Sequence, residues 1–262
     1  MSILLIVPIA LGWFAGWIVN YLSDVLPVTR RFSQPTCPHC QSPYSLKGYL
    51  LFQPCPNGHA RGIRPWIVQA AMIAASLYAW IQPPSKPGFI LGFLLIVYFG
   101  VVVVIDLEHR LILHPTSVAG ALLALVVGVI SHGWLPSLQG GLAGFLIMFA
   151  FYLLGVWFTR VRAKRLAARG IQADDEEALG AGDVILVTVL GFLVGWPLVW
   201  LCILISILLG GIVSLFTIIA LFITRGYEKN ALMLFIPYGP YFIVSAYLIT
   251  FFPRFVAAFV PG

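Results

Sequence analysis

Long apolar segments separated by short polar ones run along the whole chain. Eight of these segments reach the roughly 17–25 residues that a helix needs to cross a bilayer. They cover residues 3–22, 66–82, 88–105, 115–131, 140–158, 183–200, 201–223 and 235–252. The pattern predicts an all-α fold, that of a polytopic integral membrane protein with about eight transmembrane helices. The first segment ends in Asn20 and Tyr21 rather than at a small-residue cleavage site, so we expect a retained helix and not a signal peptide.

The composition supports this interpretation, because 61% of the 262 residues are hydrophobic and only 9% are charged. Such values exclude an ordinary water-soluble domain. If the N-terminus lies outside, thirteen of the fifteen Lys and Arg residues fall on one side of the membrane. These thirteen are Arg30, Arg31, Lys47, Arg61, Arg64, Arg110, Arg160, Arg162, Lys164, Arg165, Arg169, Arg225 and Lys229. The bias predicts that both termini lie outside and that this basic face is cytoplasmic. The net charge of +6 is therefore an orientation signal and does not indicate a nucleic-acid partner.

Two loops on the predicted cytoplasmic face are long enough to have a role of their own. The first covers residues 26–65 and contains three of the four cysteines. The second, "TRVRAKRLAARGIQADDEEALGAGD", is basic at its start and acidic at residues 174–177. We interpret its basic half as a contact to lipid headgroups and its acidic half as a solvated linker.

Four acidic residues lie beside the apolar segments, and two of them attract attention. The four are Asp24, Asp106, Glu108 and Asp183. Asp106 directly follows "LLIVYFGVVVVI" at the cytoplasmic end of the third segment, and Asp183 begins the sixth segment at the same face. Carboxylates at the edge of the hydrocarbon region are costly and tend to be functional. Two structural alternatives stay open: Asp183 could cap a helix N-terminus, and Asp106 could lie in a polar turn after a helix has ended.

Two carboxyl groups that approach each other can perform peptide hydrolysis. When one is ionised and the other protonated, the pair can deprotonate a water and protonate the leaving amide nitrogen. Gly180 and Gly182 precede Asp183 and would let a substrate backbone come close to it. The sequence therefore predicts Asp106 and Asp183 as a catalytic pair, with Gly180 and Gly182 in support.

The first loop offers four soft metal ligands in two close pairs. "CPHC" supplies Cys37 and Cys40, and "CPNGH" supplies Cys55 and His59. This arrangement is typical of a closed structural zinc site, so we expect a cytoplasmic zinc-knuckle-like loop. A reducing compartment disfavours a disulfide. Unliganded thiols are the alternative, His39 is a possible substitute ligand, and Cys202 lies in an apolar segment where packing explains it.

The two aspartate motifs together resemble a known family. "LGAGD" with "DLEHRLILHP" is similar to the paired-aspartate signature of the type IV prepilin peptidases, which belong to the GxGD-type intramembrane aspartyl proteases. The N-terminal "GWFAGWIVNYLSDVLP", the cysteine loop and "IPYGPYF" near the end also resemble the family, although the usual Arg before Leu-Pro is missing. The resemblance assigns the catalytic pair to Asp106 and Asp183. It also implies two domains. Residues 1–82 would form an N-terminal helix, a Cys-rich loop and a second helix, and residues 83–262 would form the protease domain.

The resemblance further implies what the protein does and where. We expect a bacterial inner-membrane endopeptidase that removes the leader from type IV prepilins or pseudopilins at the cytoplasmic face. Many relatives then methylate the new N-terminus with S-adenosylmethionine. Two other interpretations remain: a proton-coupled transporter in which Asp106 and Asp183 relay protons, and a non-catalytic assembly subunit. A transport site is expected nearer the bilayer midplane.

Overall fold

The computed structural model describes residues 2–84, 86–167, 180–223 and 237–252, and these residues form helices joined by short connections. The described helices are α1 (Ser2–Thr29), α2 (Leu46–Leu50), α3 (Arg64–Ile81), α4 (Gly88–His109), α5 (His114–His132), α6 (Trp134–Ala167), α7 (Ala181–Val194), α8 (Leu198–Ile223) and α9 (Gly239–Phe251). Strands are absent from the described residues, where Thr36 and Pro43 form an isolated bridge. The prediction of an all-α fold is confirmed. The acidic residues 174–177 and the first residue of "IPYGPYF" lie outside the described ranges.

Five of the described helices are long and apolar enough to cross a membrane. Their spanning parts are Leu5–Thr29, Gly88–His109, His114–His132, Trp134–Arg165 and Leu198–Leu221. A helix also lies in each of the other three predicted segments, namely α3 and the shorter α7 and α9. These helices fit the predicted multi-pass membrane protein, and the count of eight spans stays a prediction. The sixth segment is shorter than predicted, since α7 ends at Val194 and Pro197 follows, where a proline lacks the amide N–H that a continued helix would use.

The chain divides into two compact units, Met1–Ala119 and Gly120–Gly262. In the first unit, α1, α3 and α4 pack against one another. Polar side chains hold α1 to α3: Asn20 Nδ2 donates to the Pro65 carbonyl at 3.2 Å, and Ser76 Oγ donates to the Pro8 carbonyl at 2.8 Å. Such bonds between helices compensate buried polar groups inside a membrane. Asn20 is therefore a helix-packing group between α1 and α3. The domain boundary that the sequence analysis placed between residues 82 and 83 separates functional parts of the chain, and it stays a prediction.

In the second unit, α7 packs against α6, α8 and α9. It approaches α6 so closely that a Cβ atom on Gly191 would lie 2.3 Å from the Gly140 carbonyl oxygen. Only glycine leaves room for this contact. Leu186, Val187 and Leu190 of α7 are buried. The helix that begins just before Asp183 is therefore held on several sides within its unit.

Candidate functional site

The four predicted metal ligands come together in the first loop. The ligand atoms of Cys37, Cys40, Cys55 and His59 all lie within 4.8 Å of one another. The sulfurs of Cys40 and Cys55 are 3.6 Å apart, and Cys55 Sγ lies 3.3 Å from His59 Nδ1. At a Zn–S distance of about 2.3 Å, two sulfurs at the corners of a tetrahedron stand about 3.8 Å apart. The spacing fits this geometry, so the four residues could hold a metal such as zinc.

Two tight turns position these ligands. The amide of Cys37 donates to the Ser42 carbonyl at 2.9 Å, which closes the first turn. In the second turn the Gly58 amide donates to the Cys55 carbonyl at 2.8 Å, and the Cys55 amide donates to the His59 carbonyl at 3.0 Å. Gly58 adopts a φ of +83°, a conformation that favours glycine. The turns bring the members of each ligand pair together, as the sequence spacing predicted.

The thiols of this cluster differ in their electrostatic surroundings. Hydrogen bonds from Ser42 lower the pKa of Cys40 to about 5, which favours its thiolate form. Burial raises the pKa of Cys55. Metal coordination requires thiolates, and a cation at the centre would offset the penalty of ionising the buried Cys55.

Two tyrosines anchor the cysteine loop to α1. Tyr44 and Tyr49 are buried in one cluster with Cys37 and Cys55, and Tyr21 of α1 packs against that cluster. The rings of Tyr21 and Tyr49 meet edge to face at 6.5 Å. Burial raises the pKa of Tyr44 to about 12, so its hydroxyl stays neutral. The loop is therefore fixed to the first transmembrane helix.

An ion-pair network next to the loop was not predicted from the sequence. The Asp24 carboxylate pairs with Arg61 at 2.8 Å and with Arg64 at 2.5 Å, and Arg64 also pairs with Glu108 at 2.8 Å. Tyr49 donates its hydroxyl to Asp24 at 2.5 Å. One signal could have indicated the network: residues 25–105 contain several Arg and Lys but no acidic residue, so the basic groups need partners at the edges of this stretch.

Asp106 lies inside the last turn of α4, since the helix continues to His109. Asp106 is only 5% exposed, and its backbone carbonyl accepts a hydrogen bond from the Arg110 amide at 2.9 Å. Arg110 adopts a left-handed conformation that ends the helix. The alternative that Asp106 belongs to a polar turn is contradicted, because it is a buried residue of a spanning helix. Buried carboxylates at such positions tend to be functional.

Asp183 is the third residue of α7 and is half-buried. The N-cap residue is Gly180, which has no side chain that could cap the helix. The Asp183 amide donates to the Gly180 carbonyl at 3.1 Å, and a Cβ atom on Gly180 would stand 3.7 Å from Asp183 Oδ2. Asp183 is therefore not the N-cap residue, and its carboxylate lies at the positive end of the helix dipole. Gly182, the second helical residue, is half-buried.

Asp106 and Asp183 lie in different compact units, so their pairing stays a prediction.

The structure also gives the positions of two residues that the sequence analysis considered as possible or unlikely metal ligands. His39 is exposed, with its ring 5.4 Å from that of His59, and Cys202 is fully buried in α8.

Comparisons with known proteins bear on the segment that contains both aspartates. No curated protein and no solved structure matches the chain. One protein family does match, from the middle of α4 to the middle of α8, a segment that includes Asp106 and Asp183 and excludes the cysteine loop. Residues 93–215 match the type IV leader peptidase family, the family that the two aspartate motifs predicted.

Proposed function

We propose that this protein is an intramembrane aspartyl endopeptidase that removes the leader from type IV prepilins or pseudopilins. The match of residues 93–215 to a leader peptidase family carries the proposal, because both candidate aspartates fall within that segment. Asp106 adds support as a buried carboxylate at the end of a spanning helix. The same match favours a peptidase over the transporter, and no described feature favours a proton relay.

In the proposed reaction Asp106 and Asp183 act as a pair that holds one proton. The ionised carboxylate takes a proton from water as the water oxygen attacks the scissile carbonyl carbon. The protonated carboxyl gives its proton to the amide nitrogen as the C–N bond breaks. The products are a new carboxyl end on the leader and a new amino end on the mature pilin. The pair then holds one proton again.

The expected location of this reaction is the cytoplasmic face of a bacterial inner membrane. Within the first unit, the salt bridges of Asp24, Arg61, Arg64 and Glu108 join the end of α1, the start of α3 and the end of α4. These helix ends therefore meet at one level, and the positive-inside rule supports a cytoplasmic position for that level. This placement supports a cut close to Asp106 at the cytoplasmic boundary.

We assign a structural zinc to Cys37, Cys40, Cys55 and His59. Four protein ligands complete a tetrahedral shell, which is the arrangement of structural rather than catalytic zinc sites. Zinc would stabilise the loop, while the proton transfers belong to the aspartates.

A prepilin cleavage assay tests the proposal. The purified protein, in detergent and under reducing conditions, should cut a synthetic prepilin after the glycine that ends the leader. Asp106→Asn should abolish this cut because an amide cannot exchange the required proton, while thermal unfolding stays close to wild type. Glu177→Gln removes a carboxylate from the acidic sequence at residues 174–177 and serves as the control. Normal cleavage by a well-folded Asp106→Asn protein would refute the catalytic assignment.

N-methylation of the new terminus is a separate proposal that comes from the family resemblance. The peptidase reaction does not depend on it. The mass of the cleaved product, with and without added S-adenosylmethionine, reports it in the same assay. A product that never gains a methyl group would refute this part alone.

A further inference from the structure

The Asp24 carboxylate joins two parts of the first unit, the cysteine loop and the last turn of α4. Its two oxygens accept from different arginines: Oδ2 from Arg61 and Oδ1 from Arg64. We propose that Asp24 is a positioning residue for Asp106, acting through Arg64, and that the same carboxylate holds the cysteine loop through Arg61. The positioning role rests on the proposed function of Asp106.

The first branch fixes the end of α4. Arg64 Nη2 binds Asp24 at 2.5 Å, and Arg64 Nη1 binds Glu108 at 2.8 Å. Glu108 lies two residues after Asp106 in the last turn, and the ends of helices tend to fray. A guanidinium presents its donors in a rigid planar fork, so two carboxylates bound at once are held at a fixed separation. The turn that contains Asp106 is therefore tied to α1 and α3.

The second branch fixes the loop. The Arg61 side chain is only 6% exposed, and its charge pairs with Asp24 at 2.8 Å. Its Nη1 donates to the Tyr49 carbonyl at 2.9 Å, and its guanidinium carbon lies 4.0 Å from the centre of the Tyr49 ring. Loss of the Asp24 charge would leave a buried guanidinium without compensation, which is strongly destabilising. Tyr49 is buried in the same cluster as Cys37 and Cys55, so this branch holds the cysteine loop.

The two branches can be separated by three variants and two measurements. The measurements are kcat and KM for prepilin cleavage, and the rate at which a maleimide labels the loop thiols in a Cys202→Ala background. Glu108→Gln should lower kcat and leave labelling unchanged. Arg61→Gln should accelerate labelling and lower kcat less than Glu108→Gln does. Asp24→Asn should do both, with a fall in kcat on the order of 10- to 100-fold, since small misplacements of a catalytic group are costly.

The split between kcat and KM distinguishes positioning from substrate binding. A displaced Asp106 weakens an interaction made in the transition state, so kcat should fall while KM changes little. Asp24→Glu keeps the charge and should restore part of both readouts. Arg31→Gln, an exposed change in the same loop, is the control for a lost charge and should alter neither.

Three results would overturn the proposal. Wild-type kcat in Asp24→Asn, with Asp106→Asn inactive in the same assay, overturns the positioning role and leaves the proposed function standing. Full cleavage by Asp106→Asn overturns the proposed function and the positioning role with it. Parallel losses of both readouts in Glu108→Gln and Arg61→Gln indicate general destabilisation and overturn the separation into two branches.

Discussion

Asp183 offers the sharpest test of a catalytic against a structural carboxylate, because its structural contribution can be bounded. Gly180 is the N-cap of α7, so Asp183 lies in the first turn of the helix rather than at the cap position. The favourable position of its charge is worth about 0.3–1 kcal/mol, and a hydrogen bond from a free backbone N–H of that turn would add on the order of 1 kcal/mol. One kcal/mol changes the folded-to-unfolded ratio by roughly fivefold. A protein that is several kcal/mol stable stays almost fully folded after such a loss.

The catalytic contribution is expected to be far larger. Positioned acid–base groups contribute about 10²–10⁴-fold to a rate. Asp183→Asn and Asp183→Ser should therefore lose turnover by at least that factor while their melting temperatures stay close to wild type. Asp183→Glu keeps the charge but displaces the carboxyl by a methylene, and a displacement on the order of 1 Å can cost roughly 100-fold.

The assay is prepilin cleavage at saturating substrate, paired with thermal unfolding of the same detergent preparation. A Gly182→Leu variant should also lose activity, because its side chain would crowd the backbone approach to the carboxylate. If Asp183→Ser cleaved at the wild-type rate, the acid–base role would be refuted and only a structural contribution at the start of α7 would remain.

Three further predictions concern the metal loop and the packing of α7. Cys37→Ser and Cys55→Ser should each lose the roughly one metal per chain expected for a structural site, whereas Cys202→Ser, a change in α8, should retain it; metal analysis of protein purified under reducing conditions decides this. A chelator added during the cleavage assay should leave the initial rate unchanged because the proposed proton transfers use carboxylates, and immediate inhibition would contradict that. Gly191→Ala should lower the melting temperature, at a cost of about 1–3 kcal/mol, since its Cβ would lie 2.3 Å from the Gly140 carbonyl oxygen. Gly211→Ala is its matched control, because no atom outside its own helix lies within 4 Å of that Cβ position, and equal melting temperatures for the two variants would contradict the packing argument.

The metal cluster was predictable because its signal is local. Cys37 and Cys40, like Cys55 and His59, are close in sequence, and a tight turn is enough to bring each pair together. The apolar segments were predictable for a similar reason, since length and hydropathy are properties of short windows. The end of the sixth segment was harder to predict, because apolar residues continue past Val194 although the helix ends there, before Pro197.

The ion-pair network could not be read from local patterns. Asp24 meets Arg61 and Arg64 across 37 and 40 residues, and Arg64 meets Glu108 across 44. Which acidic group pairs with which basic group is decided by the packing of α1, α3 and α4. The burial of Asp106 was hard to predict because the residues that follow it are polar. The helix nevertheless continues for one turn before Arg110 ends it.

The positions of the metal ligands and the aspartates indicate a division of roles along the chain. The family match covers residues 93–215 and leaves out the loop that contains Cys37, Cys40, Cys55 and His59. Four protein ligands would fill a tetrahedral shell and leave no position for a metal-bound water, so the water of the proposed reaction would be activated elsewhere. The buried Asp106 lies in the matched segment, and its helix end is tied through Arg64 to the same Asp24 that holds the loop. On this reasoning, loosening the loop should impair cleavage only as far as it disturbs Asp24, whereas replacing either aspartate should abolish cleavage with the loop intact.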